Sequence, residues 1–555
     1  MLFERVFLAI QMQMFTFVMK SSTLRRMKYP IGIQTFEKIR EDGFVYVDKT
    51  DFVYSLANEG GNIYFLSRPR RFGKSLLLST LESYFQGKKE LFKGLKIDGL
   101  EKEWKVYPVL RVDFGTGKYT DINALKDVLD GQFAEWEKTY QVENMYTDFG
   151  PRMKYLLQEI RRQTGMRAVV LVDEYDKPLL DVMGTPYKVN YQGIEISLEE
   201  YNRGILKSFY STFKAADEHL RFVFLTGVTK FSQVSVFSGF NQPNDISMHP
   251  KYDSLCGITE EEMLSYFHDP ITEMSQLEKC SFDEMVAKLK KQYDGYHFSD
   301  TLTDIFNPFS LLNAFDRMRL DSYWFQTGTP TYLIRLMDHF NENLNEITGK
   351  YYAVQDFSDY KADVERPLPM IYQSGYLTIK EYDPDVREFL LDIPNNEVKQ
   401  GFISLLANNY FKTKEPADSC IRLFVKALKC GDLEQFRQNL TSFLASIPYS
   451  IRRKENERER ERYFQFAFYL ILRLLSVYVV YIEKQLSQGR ADCIIETDKF
   501  VYVFEFKLDG TADEALQQIE DKGYAIPYAN DTRTLYKIGC SFSSETGTIE
   551  EWKAK

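Results

Sequence analysis

Two short stretches of this chain hold residue types that do phosphate chemistry. The first is Ser67-Arg68-Pro69-Arg70-Arg71-Phe72-Gly73-Lys74-Ser75, which follows an apolar run at 62–67 and leads into LLLSTLESYF, helical by its pattern. In a strand, loop and helix of this kind, backbone N–H groups and the helix N-terminus cradle phosphates, a lysine reaches the β and γ phosphates, and a hydroxyl coordinates Mg²⁺. Arg70, Arg71, Phe72, Gly73, Lys74 and Ser75 are therefore candidate ATP-binding residues, with Ser75 also a metal candidate. Arg68 stands where the usual first glycine would be, so the strict pattern is broken there. Phosphate contact, an arginine finger toward a neighbouring subunit and plain solvent exposure all remain open for Arg68, Arg70 and Arg71.

The second acid-bearing strand supports the first. Val169-Val170-Leu171-Val172-Asp173-Glu174 is an apolar run ending in two carboxylates. Asp173 is a candidate for holding Mg²⁺ through water, and Glu174 for the base that polarises the attacking water. A later run, RFVFLTGVTK, ends in Thr226 and Thr229, either of which can place a hydroxyl near the γ-phosphate or simply form a strand-terminal turn.

Near the C-terminus Gly489-Arg490-Ala491-Asp492 opens one strand, and Val501-Tyr502-Val503-Phe504-Glu505-Phe506-Lys507 forms another. Alternation puts Glu505 and Lys507 on one face, with Phe504 and Phe506 on the other. A hairpin at Thr497-Asp498 brings Asp492 alongside. Asp492 and Glu505 are then candidate metal ligands, and the three residues together a candidate catalytic set in which Lys507 orients water or stabilises phosphate charge. Glu483 is a further carboxylate within reach, and equally an ordinary exposed glutamate.

These groups need a scaffold of strands and helices. Runs at 62–67, 109–114, Ala168–Asp173 and 221–226 alternate with amphipathic stretches, which predicts an α/β fold with a mainly parallel sheet. From 240 to 450 the periodicity becomes helical, as at 260–267, 282–292 and Leu433–Ser446. A charge run at 452–462 reads as the solvated start of a long helix whose apolar continuation, 463–481, is buried. Two β-rich runs, 491–496 and 499–507, and a helix at 512–522 complete the chain.

The chain has 555 residues, too many for one core. Its net charge of -10 excludes a protein that coats nucleic acid through a global basic surface, while leaving room for a local basic groove. Six Cys without a CxxC pair and five scattered His exclude zinc ribbons, disulfide scaffolds and HExxH enzymes, and point to a reducing cytoplasm. The apolar run at 6–19, broken by Gln11 and Gln13, is too short to span a bilayer, so no membrane partner is expected. Residues 1–26 read as an extension upstream of a start near Met27.

RPRRFGKS, YVDKT (46–50), LVDEYDKP (171–178), TGVTKFS (226–232), YDGYHF (293–298), NPFSLL (307–312) and WFQTGTP (324–330) together resemble the bacterial AAA-ATPase-like family whose members end in a PD-(D/E)XK nuclease-like domain. The resemblance runs from about Tyr29 to the C-terminus. It implies an AAA-like P-loop ATPase domain at 27–240, a helical connecting region at 241–450 and a nuclease-like domain at 451–555. It further implies ATP and Mg²⁺ as cofactors and nucleic acid, DNA foremost, as partner. Asp492, Glu505 and Lys507 then resemble the PD-(D/E)XK phosphodiesterase site, with Gln517-Gln518-Ile519 and Tyr524 on the following helix. In that family Arg68 is an ordinary loop residue. Asp48 and Asp113 are family-typical acids whose expected role is capping or core hydrogen bonding. The rival expectation is an ATP-regulated nucleic-acid-binding switch whose nuclease-like domain does not cleave.

Overall fold

A computed structural model describes residues 27–230, 243–325, 347–358, 367–411, 417–446, 471, 485–486, 489–490 and 492–555. The extension at 1–26, the TGTP turn at 327–330, the charge run at 452–462, nearly all of 463–481 and Glu483 lie outside the described residues.

Five parallel strands form the N-terminal sheet: β1 (Ile63–Ser67), β2 (Val109–Asp113), β3 (Ala168–Asp173), β4 (Leu220–Gly227) and the short β5 (Asn244–Asp245). Their order across the sheet is β2-β3-β4-β1-β5. Every residue of β3 is buried, as expected where both faces of a parallel sheet are covered. Helix α1 (Lys74–Phe85) packs on β3, and α2 (Phe149–Thr164) packs on β3 and on α3 (Leu198–Ala215). Local chemistry sets the ends of α2. The Asp148 side chain accepts from the Gly150 N–H at its start, and Gly165, at φ +70°, closes it with an N–H to the Arg161 carbonyl.

The middle of the chain is helical at Glu260–Tyr266, Phe282–Tyr293, Pro308–Arg317 and Asn396–Phe411. Capping boxes at Thr259/Glu262 and Ser281/Glu284 start the first two. It also contains an antiparallel sheet that the periodicity did not anticipate, made of β6 (Lys350–Ala353), β7 (Thr378–Asp383) and β8 (Glu388–Asp392), with β8 central.

The C-terminal sheet runs β9 (Cys493–Glu496), β10 (Phe500–Leu508), β11 (Thr534–Phe542), β12 (Ile549–Ala554) in that order. β9 and β10 form the expected hairpin, closed by the Thr497 N–H on the Phe500 carbonyl at 2.8 Å. β10 and β11 are parallel, joined through α4 (Ala512–Asp521), which a Thr511/Glu514 capping box starts. The helix pair Ala417–Cys430 and Leu433–Ser446 packs against this sheet through Phe436 on Phe504 and Trp552, and the Tyr502 hydroxyl donates to the Leu428 carbonyl.

Candidate nucleotide and phosphodiester sites

Parallel strands place the groups of the first site on one sheet edge, the carboxyl ends where α/β proteins hold ligands. Register pairs Leu66 with Thr226, Ser67 with Gly227, and Asp113 with Asp173. β4 lies between the loop strand β1 and the acid strand β3, so Thr226 sits between the two. Its hydroxyl donates to Asp173 Oδ1 at 2.9 Å, and the Glu174 N–H donates to the same oxygen at 3.1 Å. Arg111 approaches Asp173 Oδ2 at 3.7 Å and is anchored on Glu82 at 2.9 Å. Nothing in the sequence reading singled out Arg111, although its place two residues before Asp113 on β2 put it near the acids.

The loop between β1 and α1 is held in an unusual backbone shape. Arg71 at φ +70° and Gly73 at φ +92° occupy the left-handed region, and no side chain caps α1. The first-turn N–H groups of α1 thus remain for an anion. Lys74 folds back over this loop, its ammonium donating to the carbonyls of Arg68 at 2.8 Å and Pro69 at 3.0 Å. Burial pushes its pKa down, while the charges of Glu174, Asp173 and Asp176 oppose that shift. A phosphate there would offset the cost of burying the ammonium, so the donor set fits an anionic nucleotide.

Glu174 adopts φ +50°, an uncommon conformation for a residue with a side chain. Burial raises its pKa, with Lys74 opposing. A Cβ placed on Gly115, in the turn after β2, would lie 3.2 Å from Glu174 Oε2 and 2.9 Å from Asp113 Oδ1, so a side chain there would press on both carboxylates. Asp176 is buried, and its Oδ2 accepts from the Val228 and Thr229 N–H groups and from the Thr229 hydroxyl. Thr229 is therefore the partner of Asp176 at a strand-terminal turn, whereas Thr226 faces Asp173.

The arginines of the loop differ. Arg68 is 1% exposed and donates to the carbonyls of Ser67, Ser247 and Tyr252, with its guanidinium 4.0 Å from the Phe298 ring centre. Neither solvent exposure nor an arginine-finger role fits that position: Arg68 pins the loop to the middle of the chain. Phe72 does likewise, packed edge-on against Tyr296 at 4.9 Å and Phe298 at 5.6 Å, so only its backbone is available to a phosphate. Arg70 and Arg71 are exposed; the Arg70 carbonyl accepts from Trp324 Nε1 at 3.2 Å, and the Arg71 guanidinium lies 5.0 Å from the Phe309 ring centre. Asp113 caps the turn after β2 by accepting from the Gly115 N–H at 2.7 Å, and Asp48 holds Thr50 and the Lys96 N–H, both in line with the expected capping roles.

The second site forms at the start of the C-terminal hairpin. Register sets Cys493 opposite Phe504, which brings Asp492 beside Glu505. The Asp492 N–H donates to Glu505 Oε2 at 3.4 Å, and the Phe506 N–H donates to Asp492 Oδ2 at 2.8 Å. Lys507 Nζ lies 3.9 Å from Glu505 Oε1. Gln518 of α4 bridges the two, its amide nitrogen donating to Glu505 Oε1 and its oxygen accepting from Lys507 Nζ. Glu505 is 2% exposed, and burial, reinforced by the Asp492 charge, pushes its carboxyl up to about 7. A cation between the two carboxylates would remove both penalties. Among the described residues no group of three or more His, Cys, Asp or Glu gathers into a metal cluster. Two carboxylates suit Mg²⁺, which keeps several waters and takes phosphate oxygens as further ligands.

Residues 30–237 match the family model described as "Predicted AAA-ATPase", and residues 459–552 match that of the PD-(D/E)XK nuclease superfamily. A curated protein of Azotobacter chroococcum mcd 1, named as an uncharacterized protein in the vnfD 5' region, is 35% identical over 536 residues, covering 95% of this chain and 98% of its own. The chain belongs to the AAA-ATPase-like family with a C-terminal PD-(D/E)XK nuclease superfamily domain. In this family member, the span matched to the AAA-ATPase-like model holds the whole set built around Lys74, Asp173 and Thr226, and the nuclease-superfamily span holds Asp492, Glu505, Lys507 and Gln518. Among the described residues no helix is long and apolar enough to cross a membrane.

Proposed function

We propose that this protein binds and hydrolyses ATP at the β1–α1 loop and cleaves DNA at the Asp492–Glu505–Lys507 site. ATP and Mg²⁺ are its cofactors and the reducing cytoplasm its compartment. The working division is the one expected from the sequence: an ATPase domain at 27–240, a connecting region at 241–450 and a nuclease-like domain at 451–555. The observation that carries the reading is the second site, where a buried acid, a second acid on the adjoining strand and a lysine meet around one glutamine.

Bound Mg²⁺ would supply positive charge to phosphate oxygens and to the attacking water at each site. In the first site Gly73 and the start of α1 seat the phosphates, Lys74 faces them, Ser75 and Asp173 would hold Mg²⁺, and Glu174 takes a proton from the attacking water. Thr226 fixes Asp173 by its hydrogen bond. Arg70 and Arg71, exposed at the loop, serve a neighbouring copy in a homo-oligomer or the phosphates directly. In the second site Asp492 and Glu505 would hold the ion, and Lys507 stabilises charge on the phosphodiester.

One feature favours the rival reading of a nucleic-acid-binding switch that does not cut: the Lys507 ammonium is already tied to Gln518. Incubation of the purified protein with linear duplex DNA, ATP and either Mg²⁺ or Mn²⁺ separates the two. Shortened products support the proposed activity; a retarded but intact band with both ions supports the switch.

A further inference from the structure

β2 carries a cation, Arg111, to which the proposed ATPase chemistry gives no part. The strand alternates, with Leu110 and Val112 buried on one face and Val109, Arg111 and Asp113 half-buried on the other. Register sets Arg111 beside Leu171 and Asp113 beside Asp173. Arg111 therefore shares a face with the acids at the strand ends and stands two residues back from them. Its guanidinium donates to Glu82 Oε2 at 2.9 Å and lies 3.7 Å from Asp173 Oδ2.

The two acids hold Arg111 differently. Glu82 is hydrogen-bonded to it and lies on α1 seven residues after Ser75, two turns along the same face of the helix. At 3.7 Å the contact with Asp173 is one of charge and not a hydrogen bond. Asp173 Oδ1 already accepts from the Thr226 hydroxyl and the Glu174 N–H. Oδ2 accepts from none of the described residues and keeps some contact with solvent. Oδ2 is thus the oxygen left for an ion, and Arg111 neutralises it without occupying it.

The charge balance of the site gives that arrangement a purpose. The charges of Glu174, Asp173 and Asp176 all act on Lys74, whose ammonium is committed to the carbonyls of Arg68 and Pro69. Against Lys74 alone, such a set of acids would draw a divalent ion by itself. A second cation beside Oδ2 weakens that pull until phosphates add negative charge of their own. Because Glu82 lies two turns into α1, past the first-turn N–H groups, Arg111 acts through Asp173 and not on the phosphates.

We propose that Arg111 is a positioning residue of the nucleotide site: seated on Glu82, it holds Asp173 by charge, leaves Oδ2 to Mg²⁺, and keeps the ion from settling on the acids before the nucleotide arrives. This role rests on the ATPase reading and adds an order of binding to it, the ion entering with the nucleotide.

The test is calorimetric titration of the full chain with Mn²⁺ in the absence of nucleotide, with Glu505→Gln in every protein so that the second site does not contribute. Arg111→Met should bind Mn²⁺ about tenfold more tightly than its parent, the scale of removing one charge beside a buried acid. Arg111→Lys keeps the charge and should stay close to the parent. Glu82→Gln leaves the guanidinium to Asp173 and should weaken binding. A merely structural role for Arg111 would have the opposite sign, since loosened acids hold an ion less well. Mn²⁺ affinity unchanged or weakened in Arg111→Met, or strengthened equally in Arg111→Lys, would overturn the role. Absence of ATP hydrolysis by the wild type would overturn the ATPase reading instead, because the titration contains no nucleotide.

Discussion

The side-chain amide of Gln518, on the crossover helix α4, joins Glu505 and Lys507 by donating to the acid and accepting from the ammonium. The crossover that makes β10 and β11 parallel therefore also sets the distance between the acid and the lysine. Replacing Gln518 with leucine removes one bond from the buried Glu505 carboxylate and one from the Lys507 ammonium. DNA cleavage should fall by on the order of tenfold or more while ATP turnover stays at the wild-type rate. Rates of the two reactions on the same preparation check this.

Glu505 should make divalent-ion binding depend on pH. Its folded-state pKa, about 7, lies above the ordinary carboxylate value, so without metal the folded protein holds a proton that the unfolded chain releases. The corresponding stability is present below the unfolded value and is lost as pH rises toward about 7. A bound ion must displace that proton. Mn²⁺ affinity, followed by calorimetry, should therefore strengthen as pH rises to about 7 and level off above it, and Glu505→Gln should abolish both the dependence and the binding.

In the first site Lys74→Ala should abolish ATP hydrolysis, because the loop carbonyls and the phosphates lose their shared cation. Glu174→Gln should bind ATP and turn it over about 10²–10⁴-fold more slowly, the range for losing a general base. Filter binding and phosphate release distinguish the two variants.

Gly115→Ala adds one methyl group whose nearest neighbours are the Asp113 and Glu174 carboxylates. Turnover should fall by on the order of tenfold with ATP affinity retained, since the carboxylate and not the cradle is displaced. Lowered affinity with unchanged turnover would place Glu174 elsewhere in the reaction.

Arg68→Gly restores the common loop glycine, yet it should destabilise the protein by about 3 kcal/mol, since a buried guanidinium and its hydrogen bonds to Ser247 and Tyr252 are lost. Thermal unfolding measures it.

The buried Arg68 marks where the sequence was hard to read. β3 was legible residue for residue because a wholly apolar run ended abruptly in two acids. The C-terminal hairpin was legible because strict alternation around Glu505 and Lys507 met a turn at Thr497. Arg68 was opaque: three neighbouring arginines look alike in sequence, and only tertiary packing buries one of them under Phe298. The β6–β8 sheet was missed because its strands are short and interleaved with charged residues, as in TIKEYD, which suit a half-buried edge and give little apolar contrast. Gln518 was visible only as part of a flanking pattern, since a glutamine on a helix shows its partners only after the sheet places them.

The central claim, that one chain joins an ATPase to a DNA-cleaving site, is tested most directly by Glu505→Ala assayed beside wild type with linear DNA, ATP and Mg²⁺. Wild type should convert the DNA to shorter products and release phosphate from ATP. The variant should leave the DNA intact while releasing phosphate at the wild-type rate. Cleavage that survives loss of the Glu505 carboxylate would contradict the account.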